Sequence, residues 1–210
     1  MTIVSHQRKF IFIKTMKTAG TSLEIHLARQ CGPQDVVTPI FPEVEGHFPR
    51  NHLGADGAPI FYHHMPAIEV RALLPQAFDG YFKFCFERHP VDKCLSHCAL
   101  LLNSPQHAHL QTAATWDDYV RRGDFPLDVR QYVDEAGDLL VDKIYRYEEI
   151  ASALADIAAR TGIEDRPLAV RAKSGFRRGV PSLAEVMANR TQREAIFRAF
   201  APSLRFADYA

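Results

Sequence analysis

An excess of charge of either sign is missing from this chain. Its 25 Lys and Arg stand against 25 Asp and Glu, for a formal net charge of zero. That balance argues against general polyanion binding, and so against a nucleic-acid partner. Long apolar runs are missing too. None approaches the roughly 18–20 residues of a membrane span, which leaves no membrane partner to expect. The apolar stretch Phe10 to Ile13 is short and Lys14 follows it at once, unlike the core of a signal peptide. The four cysteines, Cys31, Cys85, Cys94 and Cys98, form no CxxC pair. With no export signal they are expected to be reduced, in a cytoplasmic protein. Cys94 and Cys98 stand one helical turn apart, the spacing of a core face. Repeats and low-complexity tracts are absent. What is present, 47% hydrophobic and 24% charged residues over 210 positions, is the composition of a globular protein. One domain spanning 1–210 is expected, able to bury roughly 70% of its unfolded surface.

The order of elements points to an α/β domain. Arg8 to Ile13 is a short aromatic and β-branched run, as a buried parallel strand would be. Lys14-Thr15-Met16-Lys17-Thr18-Ala19-Gly20-Thr21-Ser22 follows as a loop of small and hydroxylated residues, and a helix continues through Leu23, Ile25, Leu27 and Ala28. Residues 32–59, rich in glycine and proline, form a long irregular connection. A second strand is expected over Pro59-Ile60-Phe61-Tyr62, ending at His63-His64, with a short helix over Ala67 to Leu74. A third, Tyr81 to Phe86, ends at Arg88-His89-Pro90, where proline opens a helix from about Val91 to Leu102. Short helices and loops occupy 104–138. A fourth strand, Leu139 to Tyr145, precedes a helix to about Thr161. The tail holds a basic loop, 171–180, and a helix from about Ser182 to Phe200. Strands alternating with helices predict a mainly parallel sheet flanked by helices, with ligands at the carboxyl ends of the strands.

The first strand-loop-helix carries the most chemistry. A loop of small residues between a buried strand and a helix start aims successive backbone N–H groups at one anion, and the helix dipole adds positive character. Gly20 permits close approach, Thr21 and Ser22 add hydroxyl donors, and Lys17 supplies a mobile charge. This predicts a phosphate or sulfate site. Without a ligand, the same segment is a lysine-bearing βα turn. The pattern GxxxxGK[ST] is absent, since the lysine precedes the glycine, which speaks against ordinary nucleoside triphosphate hydrolysis.

The segment Lys14 to Ser22 resembles the 5′-phosphosulfate loop of sulfotransferases that use 3′-phosphoadenosine 5′-phosphosulfate (PAPS), above all the carbohydrate type with its PKTAGTS core; Met16 stands where that family carries proline. Phe84-Cys85-Phe86-Glu87-Arg88-His89-Pro90-Val91-Asp92-Lys93 resembles the family's FxFxRNPxDR segment, with His89 for the usual Asn. Read alone, Arg88 is a structural ion-pair partner, for instance of Asp92. The resemblance makes Arg88, a planar fork at a strand end, and Ser96, eight residues on, contacts of a 3′-phosphate. From Arg166 to Ser182 five cations (Arg166, Arg171, Lys173, Arg177, Arg178) occur with no acid. Such a run is ordinarily a solvated surface, but Phe176-Arg177-Arg178-Gly179 resembles the FRKG element that covers the same phosphate. Arg146-Tyr147-Glu148-Glu149-Ile150 resembles the family's strand-end RxExL segment. The likeness spans about 9–26, 60–98, 139–150 and the helix ending Phe206-Ala207-Asp208-Tyr209.

The resemblance implies a P-loop-NTPase-like fold and a PAPS-dependent sulfotransferase releasing PAP, with a saccharide or small molecule as acceptor. Lys14, Thr18, Ala19, Gly20, Thr21, Ser22, Arg88, Ser96, Lys173, Arg177, Arg178 and Gly179 are then expected to bind the donor. Lys17 meets the leaving oxygen, since such transfer rests on alignment and charge stabilisation. Among ten histidines the expected base is His64, at the end of the second expected strand and matching the family's HxxA segment in His64-Met65-Pro66-Ala67. His63, expected on the opposite side of that strand, is the alternative. His47, His52, His107 and His109 have no third ligand at a metal-like spacing, so no metal is expected. The competing readings are a P-loop-type nucleotide or small-molecule kinase and a non-catalytic PAP-binding module. The zero net charge conceals polarity: residues 1–116 carry 10 basic and 9 acidic side chains, 117–165 carry 6 and 13, and 166–210 carry 9 and 3. The cations gather in the segments assigned to the donor.

Overall fold

The computed structural model describes residues 2–168, 177–207 and 209. In chain order its elements are β1 (Thr2–Ser5), β2 (Phe10–Ile13), α1 (Gly20–Ala28), β3 (Val36–Val37), α2 (Ala67–Leu73), α3 (Pro75–Gly80), β4 (Phe82–Glu87) and α4 (Pro90–Asn103). They continue with α5 (Trp116–Arg122), α6 (Val129–Tyr132), β5 (Lys143–Arg146), α7 (Ile150–Thr161), α8 (Leu183–Ala188) and α9 (Arg190–Leu204). These make two compact units. One takes the chain up to Thr15, Ala19–Glu87 and the stretch from Asp128 through α7; the other takes Met16–Thr18, Arg88–Leu127 and the tail with α8 and α9. Among the described residues, no helix is long and apolar enough to cross a membrane.

The first unit is a single five-stranded sheet in the order β3-β1-β2-β4-β5, flanked by helices. β2, β4 and β5 run parallel, as their spacing and intervening helices predict. The sheet as a whole is mixed rather than mainly parallel, because β1 pairs antiparallel with both β2 and β3. The cause is a hairpin: Thr2 lies opposite Ile13 and Ser5 opposite Phe10, and the turn between them ends at left-handed Lys9, φ 54°. All four residues of β2 are fully buried, as both faces of a central strand require. On one face Phe10 and Phe12 pack against Phe84, with ring centroids 5.8 and 5.5 Å apart. Leu23 and Leu27 of α1 and Leu154 and Ile157 of α7 join the same core. Each such side chain contributes roughly 1.5–3 kcal/mol through burial. In the second unit α4, α5, α8 and α9 share a core of Val91, Leu95, Trp116, Tyr119, Val186, Ile196 and Phe200. Cys94 and Cys98 are buried in it, the core-face role that their spacing predicts.

Three expected elements differ. Pro59–Tyr62 is not a strand: Ile60 and Phe61 both donate their N–H groups to His52 O, at 2.9 and 3.1 Å, and Pro59 makes only an isolated antiparallel bridge to Leu53, so the run is bound to a neighbouring loop and not to the sheet. Ile60 and Tyr62 are consequently exposed. The fourth strand begins only at Lys143, because Leu139 bridges to Val133 instead. The last helix divides at Asn189, whose extended backbone ends α8 and whose Oδ1 caps Gln192 N of α9 at 3.2 Å. Lys173 and most of the basic loop lie outside the described residues.

Buried Asp35 ties the hairpin to β3. Its carboxylate accepts from Ser5 Oγ at 2.7 Å, Gln7 N at 3.1 Å and Gly32 N at 2.8 Å. Burial alone would raise this carboxyl, but the donors more than offset it and hold it below its ordinary value of 3.8. Asp35→Ala should cost about 2–4 kcal/mol by orphaning three donors. With a folded-state value below the unfolded one, the contribution is complete above pH 4 and fades as pH falls further. Urea unfolding from pH 6 to 3 should show this loss in the wild type and a flatter profile in Asp35→Asn.

Candidate functional site

The candidate residues fall into two groups, one in each unit. In the first unit, Lys14 directly follows β2. Its side chain is buried and its Nζ pairs with Glu24 Oε2 at 3.0 Å, with Glu24 fully buried. The Lys14 stem passes under Gly20: a Cβ built there would sit 2.6 Å from Lys14 Cε. A side chain at position 20 would therefore press on the Lys14 stem and make it shift, a contact the spacing does not reveal. Ala19, left-handed at φ 56° and ψ 24°, precedes α1. The first turn carries no acid, and Thr21 and Ser22 are buried within it. Ala19 thus brings no capping side chain of its own to the positive end of α1, and the first turn holds no carboxylate.

His64 belongs to this group. It has φ 57°, and its Nδ1–H donates to Lys14 O at 3.1 Å. In the neutral ring this bond leaves Nε2 as the proton acceptor. His63 is not across a strand from it. With no strand here, the two rings meet edge to face, 4.3 Å between centroids, and His63 is exposed.

The second group gathers around the start of α4. Lys17 is left-handed, φ 62°, and its carbonyl accepts from Arg88 Nη1 at 2.8 Å. Thr18 beside it is fully buried. Arg88 Nε and Nη2 reach Asp92 Oδ2 at 2.7 and 2.6 Å, and Arg177 Nη2 donates to the other oxygen, Oδ1. Burial works to raise the Asp92 carboxyl, yet Arg88 and Arg177 hold it below the ordinary carboxylate value. Ser96 lies one turn beyond Asp92 on the same face of α4. It is half-buried, and its hydroxyl makes no hydrogen bond among the described residues. Arg178 O accepts from Asn103 Nδ2 at 2.8 Å, and Gly179 takes the left-handed conformation, φ 72°. The tail is thereby fastened to α4 near both of its ends. Arg178 itself is exposed.

Sequence reasoning missed two participants. Asp92 was legible only as a partner for Arg88, four residues away; the approach of Arg177 from 85 residues on had no local signal. His97, next to Ser96, receives or donates a hydrogen bond at Nδ1 with Tyr119 OH, 3.0 Å apart. Burial, then the charges of Lys17 and Lys93, push its pKa down to about 4, so it is neutral at physiological pH. Tyr119 is fully buried, and burial pushes its hydroxyl far up. Among the described residues no group of three or more His, Cys, Asp or Glu is placed to hold a metal. No family model, curated protein or solved structure matches the chain.

His97 gives a pH signature. The unfolded chain takes up this proton near 6.5 and the folded one near 4. Stability is then complete above pH 6.5 and declines by roughly 3 kcal/mol as pH falls through that window. Urea midpoints measured from pH 7 to 4 should follow this slope, and His97→Gln should remove most of it.

Proposed function

We propose that the chain is a PAPS-dependent sulfotransferase that moves a sulfuryl group to a hydroxyl of a saccharide or small-molecule acceptor. The observation that carries this reading is the bond from Arg88 Nη1 to Lys17 O. Two segments that resemble the donor-binding motifs, 71 residues apart in sequence, share one backbone-anchored contact. An ordinary βα turn has no need of a distant guanidinium on its lysine carbonyl.

The residues present suit a doubly phosphorylated donor. The start of α1 favours an anion, Arg88 and Arg177 offer planar forks, and Ser96 offers a hydroxyl. PAPS would supply the sulfuryl group already activated as a mixed anhydride with phosphate. In this reading Lys17 offers its ammonium to the oxygen on which charge develops as the sulfur–oxygen bond breaks. His64, with Nδ1–H directed at Lys14 O, accepts the acceptor hydroxyl's proton at Nε2. Lys14 acts from beneath the loop, neutralised by Glu24, as a support rather than a donor contact.

Thermal-shift titration with PAP, with ATP and Mg²⁺, and with AMP tests the reading. PAP at 100 times its Kd should add about 2.7 kcal/mol of stability, and ATP should add far less. Stabilisation by ATP but not by PAP sinks the proposal and favours a kinase. In sulfuryl-transfer assays Lys17→Ala should lower kcat by about 10²–10³-fold while PAP affinity stays within a few-fold. PAP binding without any turnover in the wild type, across a panel of sugar and phenol acceptors, would point instead to a non-catalytic module.

A further inference from the structure

We propose that Asp92 is a positioning residue for 3′-phosphate recognition: it seats the guanidinium groups of Arg88 and Arg177 side by side on α4, so that a phosphate dianion meets both. This rests on the sulfotransferase reading above and assigns that site the residue that makes it selective for a 3′-phosphorylated nucleotide.

Two guanidinium groups brought together repel one another, and a long arginine loses rotamer freedom when it is held. Something must offset both costs before a ligand arrives. Asp92 does so with one carboxylate divided between two partners, Oδ2 taking Nε and Nη2 of Arg88 and Oδ1 taking Nη2 of Arg177. Lys17 O holds Nη1 of Arg88 at 2.8 Å. All three nitrogens of that guanidinium are thus engaged, and its plane is fixed. Arg177 is far less constrained. Its side chain is half exposed, and Asp92 is the only carboxylate it meets among the described residues. Asn103 holds the neighbouring Arg178 carbonyl, but among the described residues Asp92 alone on α4 bonds the Arg177 guanidinium.

The arrangement lies on one helix face. Asp92 is in the first turn of α4, and Ser96 is one turn on, about 6 Å along the axis, with its hydroxyl unengaged among the described residues. A carboxylate near the positive end of a 14-residue helix is itself stabilised there, and Asp92 stays ionised at neutral pH. The carboxylate that holds both arginines and the Ser96 hydroxyl thus lie within the first two turns of α4. The net charge of the two arginines with Asp92 included is positive, which favours a dianion over a neutral ribose hydroxyl.

Calorimetric binding of PAP and of AMP, which lacks the 3′-phosphate, tests this in the wild type, Asp92→Asn, Arg177→Ala and the double variant. The wild type should prefer PAP. Asp92→Asn should cut that preference about tenfold or more and leave AMP affinity unchanged. Arg177→Ala, altering an exposed side chain, should weaken PAP alone, and in the Asp92→Asn background it should cost little more, the non-additivity expected of residues acting as one unit. Equal losses of PAP and AMP affinity in Asp92→Asn would mark a merely structural role and overturn the inference. So would unchanged or tighter PAP binding, or an Arg177→Ala cost that is the same in both backgrounds. A wild type that fails to prefer PAP to AMP overturns the parent reading along with it, whereas a wild type that prefers PAP beside an unaffected Asp92→Asn overturns this inference alone.

Discussion

Lys14 reaches from the end of β2 to Glu24 in α1 through space that a Cβ at position 20 would crowd. A buried lysine and a buried glutamate are each expensive to desolvate, and together they are tolerable only when paired at close range. Their pairing fixes the distance between the strand and the helix that follows it. With both ends held, the intervening residues must turn sharply, and Lys17 and Ala19 adopt left-handed conformations that alanine and lysine seldom take. His64, itself left-handed, is attached to the same lysine through its carbonyl. The end of β2 and the first turns of α1 are therefore held together by an ion pair, before any ligand is considered.

Around α4 the organising group is again a carboxylate, in a different role. Glu24 neutralises one buried cation, whereas Asp92 gathers two, buried Arg88 and half-exposed Arg177. The helix is anchored independently of this polar cluster. Its opposite face places Val91, Cys94, Leu95 and Cys98 in the core of the second unit, and Lys93, fully buried, lies 5.7 Å from the centre of the Phe200 ring. The polar face can thus be altered without removing the apolar contacts that hold the helix in place.

Much of this was legible in the sequence wherever a residue's role is decided by its near neighbours. Continuous apolar runs located β2 and β4, Pro90 marked the start of α4, and small hydroxylated residues marked the loop. The spacing of Arg88 and Asp92 already allowed an ion pair. What escaped notice depends on partners distant in the chain. β1 is only four residues long and becomes a strand through its hairpin with β2. Pro59–Tyr62 has a strand's composition, but a loop carbonyl at His52 takes its N–H groups first. The meaning of Gly20 lies in a lysine six positions back, and that of Asp92 in an arginine 85 positions ahead. Pattern reading sees periodicity along the chain; it has no access to which of many possible partners arrives.

The ends of the sheet carry a last consequence. Unpaired strand edges are templates on which other chains can assemble. One edge here, β3, is two residues long, and Arg50 exchanges both backbone hydrogen bonds with Val37 along its outer side, at 3.0 and 2.8 Å. The other edge, β5, exposes Lys143 and Arg146 at its two ends. A chain of zero net charge has little long-range repulsion to keep its copies apart. Its protection against intermolecular sheet growth is local instead, vested in one short, already bridged strand and one strand bracketed by cations.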